Sequence, residues 1–555
     1  MHQPDTQARH SIYYNYKVYP AAPRPASPDQ AKVVVVGAGP IGLFLALDLA
    51  RHGVPSVLLE SEQQVSLGSR AIVFTRRSME ILQQVGGDKD ITAQGLPWRF
   101  GNSFYGGHRV FRMEAPYSED DRFFPMINLQ QQYMEESLVD LVAAQPLIDM
   151  RWGHKVMVVQ PQDAGTRLTV DTPDGDYVLE SDWVVACDGA RSTVRQLQGL
   201  QMEGDAYEGR FVIADIRVDL PLPTERLAFF DPVWNPGNTV LMHREPHGIW
   251  RVDYQLPPGE SPEEALKPAS LKARIDAQLE LVGAKGATWE MDWSSVYSAR
   301  AMTLPDYVNG RVIYCGDAAH MLPIFGVRGA NTGWQDAQNL AWKLAAVVKG
   351  QGQAHLLASY SEERVAAARE IVEEAGKSTR FMTPPTHGFR LLRDAALSLA
   401  IDHAFVRPLL HWRTSRPHEY GDSRLNSPED DNGLFEAGPA AGAVMQNVRL
   451  GNDRYLMDMP VSSFCLLYFV KGVGVPESLE KLAQQWCSNG IPLKLVTVGV
   501  GGTIDDPEGR VWAKYGVRQA GAAYLIRPDQ HVCARWRSVT AHRLDAAMRR
   551  AMALV

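Results

Sequence analysis

The 555 residues give room for roughly two to four domains, each with its own core. A formal charge of −8 with no long basic run argues against a nucleic-acid partner, and no apolar run reaches the roughly 18–20 residues that cross a bilayer. Five scattered cysteines without a C-x-x-C suit a reducing cytoplasm and argue against a disulfide framework and a structural zinc site, and the polar aromatic start does not read as a signal peptide, which would be basic and then apolar.

Residues 1–30, rich in Tyr, Pro and Gln and without periodicity, read as a flexible extension or one tied down on a neighbouring subunit. The stretch 32–60, KVVVVGAGPIGLFLALDLARHGVPSVLLE, says most. Its valines predict a strand apolar on both faces. Gly37, Gly39 and Gly42 form a G-x-G-x-x-G turn, an apolar helix runs to about His52 with Gly53 as its stop, and a second strand ends in Glu60. This is a complete βαβ dinucleotide unit, with the acid about 20 residues past the glycines. Gly37 permits the tight turn, Gly39 lets backbone approach a pyrophosphate, and Gly42 lets helix and strand pack closely. The helix N-terminus offers N–H groups to the phosphates, and Glu60 can accept from an adenosine ribose.

Residues 70–85 and 129–144 read as helices. Residues 156–184 alternate around TPDGD and predict a small antiparallel sheet. Within 210–257, RFVIADIRVDL, RLAFFD, NTVLMHRE and IWRVDYQL each fit a half-buried strand. A helix over 261–281, a short buried strand over 311–315 and a strong helix over 331–349 follow. Thr332 and Gln335 have the spacing of a capping box at the start of that last helix. Residues 376–435 hold many turn and helix signals and read as a connector. From about 438 a new unit begins, with strands in SSFCLLYFVKG, LKLVTVGV and AAYLIRPDQHVCARW and a helix near PESLEKLAQQW.

Two further motifs turn the dinucleotide into a flavin. WVVACDGARSTVR is a buried strand ending in Asp188-Gly189 before a helix start. RVIYCGDAAHMLPIFGVRGANTGWQDAQNLAWKLAAVV is a strand ending in Gly316-Asp317, a Pro/Gly loop and a long helix. A carboxylate at the carboxyl end of the sheet stands where ligands of open α/β folds bind, and it can accept from ribityl hydroxyls of FAD.

With these three motifs on the page, the chain resembles the class A flavoprotein monooxygenases, the FAD-dependent aromatic hydroxylases, over roughly residues 31–395. The C-terminal unit resembles the thioredoxin-like domain of the longer members, of the phenol and 3-(3-hydroxyphenyl)propionate hydroxylase type, and like them lacks C-x-x-C. The resemblance implies an α/β fold: a Rossmann-like FAD-binding domain (GR2/PHBH type) at 31–105, 126–209 and 300–395, with an interleaved β-sheet substrate domain at 106–125 and 210–299. A connector at 396–437 and a thioredoxin-like α/β domain at 438–555 complete it, behind the 1–30 extension. By the same resemblance Gly37, Ala38, Gly39, Pro40, Ile41 and Gly42 would bind the FAD pyrophosphate and Glu60 the ribose. Arg70 and Gln131 would touch the cofactor, and Asp188 would serve FAD and NAD(P)H together, with Arg191 and Arg195 near the nicotinamide nucleotide. Asp317 would hold the ribityl chain, Pro323 would lie at the reactive edge, and Gly329, Ala330 and Asn331 would present backbone to the pyrimidine ring. The loop departs from the Gly-Gln-Gly of many relatives: Arg328 either adds a cation near the isoalloxazine or points to solvent, and the solvent reading is adopted here.

The implied reaction is ring hydroxylation of a phenolic or other activated aromatic substrate. NAD(P)H (NADPH or NADH) reduces the flavin, O2 adds at C4a, and the hydroperoxide passes an OH to the ring. An apolar cavity must exclude water, and the strands of 210–257 are its expected roof, with Phe211, Phe229, Phe230, Met242, Trp250 and Tyr254 as walls or as ordinary sheet core. The loop 325–333 would let the flavin swing. His243 and Tyr254 are weak candidates for a base that withdraws the phenol proton, beside Asp253 and a structural-looking His320. Arg217, Arg244 and Arg251 could pair with a substrate carboxylate or be solvated. The small aromatic substrate is the expected partner, with no membrane or nucleic acid, in a cytoplasmic homodimer. Alternatives are a polyketide or antibiotic tailoring oxygenase, an epoxidase or a reductase of the same fold, or a flavin-binding interaction protein without turnover.

Overall fold

A computed structural model describes residues 1–555 except 69, 324–325, 411–415, 429–434, 473 and 555. The valine strand Asp29–Val36 lies between two parallel neighbours, Tyr177–Ala186 and Ser56–Glu60. Val312–Tyr314 and Ile148–Trp152 extend this parallel sheet on either side. Val33, Val34 and Val35 are wholly buried, in one core with residues from the helices Pro40–Arg51 and Gly329–Val348. A parallel sheet covered by helices wants strands apolar on both faces, and four consecutive valines supply one. Lys155–Gln162 and Gly165–Asp171 add the antiparallel extension, joined to Tyr177–Ala186 through the TPDGD turn.

The second sheet contains all four strands expected within 210–257, in the order Glu203–Arg217, Ile249–Gln255, Thr239–Arg244, Arg226–Phe230. Glu290–Thr303 flanks it on one side; Phe100–Tyr105 and His108–Glu114 flank it on the other. Its two faces differ. One packs Val212, Met242, Trp250, Val252 and Tyr254 on the helix Pro268–Leu281 through Leu271, Ile275 and Leu279. Of the six aromatic and Met walls, Phe229, Met242, Trp250 and Tyr254 therefore belong to that helix-backed core. Phe211 and Phe230 lie in a separate cluster with Leu241, Met382 and Leu397. Strict side-chain alternation along each strand divides them in this way.

Several local expectations are corrected. Residues 70–85 are not one helix: Val73–Thr75 is a strand paired with Met126–Asn128, and the helix is Arg76–Gln83. The helix over 261–281 is broken into Pro262–Ala265 and Pro268–Leu281, because each proline suits a first turn and not an interior. The capping box is absent: the long helix starts at Gly329, Thr332 is already inside it, and the Gln335 Nε2 donates to the Asn331 carbonyl at 3.0 Å. The helix signals in the connector correspond to the end of the helix Leu356–Met382 and to the helix His387–Asp402; residues 411–415 and 429–434 lie outside the described residues.

The first thirty residues, expected to be flexible or held by a neighbour, pack on their own chain. Tyr14 and Tyr16 join the main core, and Tyr19 stacks on Trp152 with ring centroids 4.5 Å apart. Ser11 and Ile12 donate to the Asp292 carboxylate, both at 2.7 Å. At the other end, Phe464–Phe469 pairs in parallel with Leu493–Val498 and antiparallel with Ala523–Ile526, which pairs with Val532–Trp536. The helices Glu477–Ser488 and Ala541–Ala551 cover this sheet.

Candidate cofactor and substrate site

The glycine turn has the geometry its spacing predicts. Gly37 adopts φ +101°, and a Cβ there would stand 2.7 Å from the Cys187 carbonyl oxygen. Gly42 is packed on the turn itself, with space for a Cβ only 1.9 Å from the Gly37 oxygen. A Cβ built on Gly39 would meet nothing within 4 Å, so the start of the helix Pro40–Arg51 faces open space on that side. Glu60 is tied to this turn: its carboxylate accepts from the Ala38 N–H at 2.8 Å and the Glu62 N–H at 2.9 Å. Burial raises the Glu60 pKa, and those N–H groups oppose the rise.

Two other loops meet the turn. Ile41 stands beside both Gly316 and Gly333, where an added Cβ would come within 3.1 Å and 2.7 Å of it. Arg195 fastens the remaining motif: its guanidinium donates to the Ala318 carbonyl at 2.9 Å and the Ala190 carbonyl at 2.7 Å. Arg195 is thus a clamp between the Asp-Gly and Gly-Asp loops, while Arg191 is exposed. Asp188 accepts from the Val194 N–H with one oxygen, and its other oxygen is buried without a partner. Asp317 has no hydrogen-bond or ion-pair partner among the described residues, although its neighbours are densely bonded. It reaches solvent from within an enclosing wall, as the floor of a cleft does; the enclosure raises its pKa, and His320, Arg70 and Arg195 pull it back.

Behind this floor stands a network that sequence reading missed. Asp336 accepts from the Gly316 N–H at 3.3 Å and from His320 Nε2 at 2.6 Å, and pairs with Arg364 Nε at 2.5 Å. His320 is accordingly structural. Arg364 continues to the Tyr420 hydroxyl at 2.9 Å. Asp336 stands within the third motif, but its pairing with Arg364 on the next helix has no spacing signal, so only the buried contact reveals it.

The flank of the cleft is held from below. Gln131 accepts from the Ala71 N–H at 2.9 Å and donates to Glu135 at 2.6 Å, while Glu135 grips the Ser66 N–H at 2.7 Å. Gln131 therefore positions the loop carrying the exposed Arg70. The Asn331 side chain accepts from Thr75 N–H and the Ser78 hydroxyl and donates to the Val73 and Val327 carbonyls. The backbone N–H groups of Gly329, Ala330 and Asn331 have no acceptor among the described residues, and Gly329 faces open space. Arg328 does not point to solvent. It is 6% exposed, its pKa lowered by burial, with Glu374 and Glu370 opposing that and Arg416 adding to it. Pro323 is buried; Phe325, in the loop expected to move, lies outside the described residues.

Comparison with known proteins gives this cleft its family. A family described as FAD binding domain matches residues 30–375. A 3-(3-hydroxy-phenyl)propionate/3-hydroxycinnamic acid hydroxylase of Comamonas testosteroni is 29% identical over 67% of this chain, an alignment that spans 62% of that enzyme's length. A para-nitrophenol 4-monooxygenase of Pseudomonas sp. (strain WBC-3) is 30% identical over 68% of this chain and 94% of its own. The chain belongs to the FAD-binding flavoprotein aromatic hydroxylases. The structure of a flavin-dependent monooxygenase, PieE, superposes with a TM-score of 0.79 and 24% identity, covering 96% of this chain and 100% of that one. That of p-nitrophenol 4-monooxygenase from Pseudomonas putida DLL-E4 gives 0.60 at 28% identity, covering 69% and 97%.

The residues present fit an FAD. An open helix start at Gly39, an orphaned Asp188 oxygen, an unpartnered Asp317 and first-turn N–H groups at Gly329–Asn331 without acceptors among the described residues are unmet polar groups on loops that meet at the same glycine turn. Over this cleft, the second sheet turns its other face. The register sets His243 opposite Arg251 and Arg251 opposite Asp215, so all three share this face. Tyr254 does not: it lies beneath Arg274 on the helix-backed face and is no base for a substrate in the cleft. His243 is buried with Nδ1 unpartnered, and burial, Arg226 and Arg251 hold its pKa well below the usual value. Arg251 forms a fork with Asp215 at 2.8 and 2.9 Å and donates to the Arg70 carbonyl. Arg217 donates to the Ile12 carbonyl and Arg244 to the Leu222 carbonyl. These three arginines are committed to protein partners.

Proposed function

We propose that this chain is an FAD-dependent, NAD(P)H-using monooxygenase that hydroxylates a phenolic or other activated aromatic ring. The observation that carries it is the unpartnered Asp317 beside the open N-terminus of the helix Gly329–Val348, roofed by a buried sheet face. FAD, when bound, takes reducing equivalents from NAD(P)H and supplies the oxygen chemistry. The protein's own residues do the rest. Gly37, Ala38, Gly39, Pro40, Ile41 and Gly42 seat the pyrophosphate, Glu60 takes the ribose, and Asp188 lends its free oxygen. Asp317 accepts from a ribityl hydroxyl, and Arg70 and Pro323 border the ring. The N–H groups of Gly329, Ala330 and Asn331 face the pyrimidine edge, where a helix N-terminus stabilises negative charge by about 0.3–1 kcal/mol. The buried roof keeps water from the reacting atoms.

Relatives named for a hydroxyphenylpropionate and a nitrophenol support a single-ring phenol as substrate. A tailoring oxygenase would share every cofactor contact and differ only in the ring it admits. Among the described residues no helix is long and apolar enough to cross a membrane, and five free cysteines fit a reducing compartment such as the cytoplasm. Leu391, Leu392, Leu399 and Phe405 lie exposed on and just after the helix His387–Asp402, which supports a homodimer that sedimentation would detect.

The test is direct. Purified protein should be yellow, and a hydroxyphenylpropionate, hydroxybenzoate, nitrophenol or polycyclic phenol should accelerate NAD(P)H oxidation and gain one oxygen by mass. Bound flavin that no ring compound makes NAD(P)H bleach would reject turnover in favour of a binding protein.

A further inference from the structure

Arg226 begins its strand beside Gly101, whose position brings the Met113 and Arg226 side chains together: a Cβ built there would meet them at 3.4 and 3.8 Å. The Leu227–Met242 pairing sets Arg226 across from His243. The row Arg226, His243, Arg251, Asp215 thus crosses four adjacent strands on the cleft-facing side, with Asp253 two residues from Arg251 on the same face. Trp98 borders it, its ring 6.4 Å from that of His243, in an apolar cluster with Met113, Ile72 and Val73. Val327, from the loop after Pro323, packs against that cluster.

Within this row the two arginines are treated in opposite ways. Arg251 is neutralised by the Asp215 fork. Arg226 is 8% exposed, its Nε has no partner, and it forms no ion pair with a described residue. The neighbouring groups are unmet as well: His243 Nδ1 and one Asp253 oxygen are buried without hydrogen bonds. The Asp253 carboxylate offsets part of the Arg226 charge without bonding to it; a buried guanidinium that makes no hydrogen bond is costly, and a protein that folds around one leaves its fork for something else. Burial lowers Arg226 to about 10 and raises Asp253 to about 7, so Asp253 takes up a proton readily when a second negative charge arrives.

We propose that Arg226 is a specificity-determining residue whose guanidinium receives a planar two-oxygen substituent of the ring substrate, a carboxylate or a nitro group, with His243 and Asp253 completing the pocket. A planar O–X–O group matches the guanidinium fork in two parallel hydrogen bonds. The inference rests on the aromatic-hydroxylase reading above.

The flavin absorbance of the holoenzyme reports binding. It would be titrated with 3-(3-hydroxyphenyl)propionate against its amide, and with 4-nitrophenol against 4-methylphenol. The unmodified protein should prefer the carboxylate or the nitro member by roughly 10–100-fold. A preference confined to one pair names the substituent. Arg226→Gln should erase that preference and leave the Kd of the neutral member within about twofold. Arg226→Lys, which keeps the charge without the fork, should retain part of it, and serves if Arg226→Gln fails to hold flavin. Equal binding of both members by the unmodified protein, or an unchanged preference in Arg226→Gln, would overturn the assignment while leaving the hydroxylase reading intact. No spectral response and no NAD(P)H oxidation with any ring compound would remove both.

Discussion

Gly39 and Gly42 are the same residue with opposite physical duties. Beside Gly39 there is space that a cofactor phosphate can use, while beside Gly42 there is the backbone of its own turn, 1.9 Å from a built Cβ. Gly39→Ala is therefore expected to fold with a Tm close to that of the unmodified chain and to retain markedly less flavin. Gly42→Ala forces the turn apart and should cost roughly 1–3 kcal/mol or more of stability as well as the flavin. Flavin per chain and thermal unfolding, measured on both, separate the two duties; equal loss of Tm in both would refute the distinction. The spacing made these roles legible. The conformations of Arg328 and Arg226 were not, because a lone arginine in a sequence does not say whether a carboxylate will meet it.

At the scale of elements, the helix Gly329–Val348 joins the cofactor floor to the C-terminal sheet. Lys343 pairs with Glu363 on the helix Leu356–Met382 at 2.7 Å, and Glu363 pairs with Arg527 at 2.6 Å. All three are buried, and Arg527 is further bonded to Asp529. Burial alone would raise the Glu363 carboxyl; Arg527 and Lys343 hold it far below its ordinary 4.5. A depressed pKa means that this contribution is complete above pH 4.5 and is lost as pH falls below it. Glu363→Ala leaves the buried Lys343 and Arg527 with Asp529 as their remaining carboxylate and should cost about 3–5 kcal/mol in urea unfolding at neutral pH, with a smaller difference in acid. A difference that stays constant with pH would argue against the charge network. Helix periodicity announced the first of these helices and not the second. That their inward positions carry ions emerges only when a partner sheet covers them.

For the whole molecule, the N-terminal segment is the departure with the widest reach. It crosses from the flavin domain to the substrate sheet: the Tyr19 N–H bonds the Gln63 carbonyl, the Tyr16 hydroxyl bonds Ser66 and Gly68, and Ile12 meets both Asp292 and Arg217. The loop it braces leads into Arg70. Removing residues 1–28, which end just before the strand Asp29–Val36, should leave a folded protein with lower Tm and several-fold faster flavin release in a dilution assay. Unchanged release would mean that the segment is ornamental to the site. Tyrosines and prolines without periodicity look the same in a sequence whether they are loose or docked, since their partners lie far away in the chain.

The sequence by itself determined the dinucleotide unit, the three flavin motifs and the parallel core, because each is a local matter: glycine conformations, strand burial and residues a fixed distance apart. Only the tertiary structure decided which sheet face meets the ring, which arginine keeps an open fork and that Asp336 holds the floor. Those outcomes depend on strand register and on neighbours far apart in the chain, and a one-residue shift in register would have exchanged one face for the other.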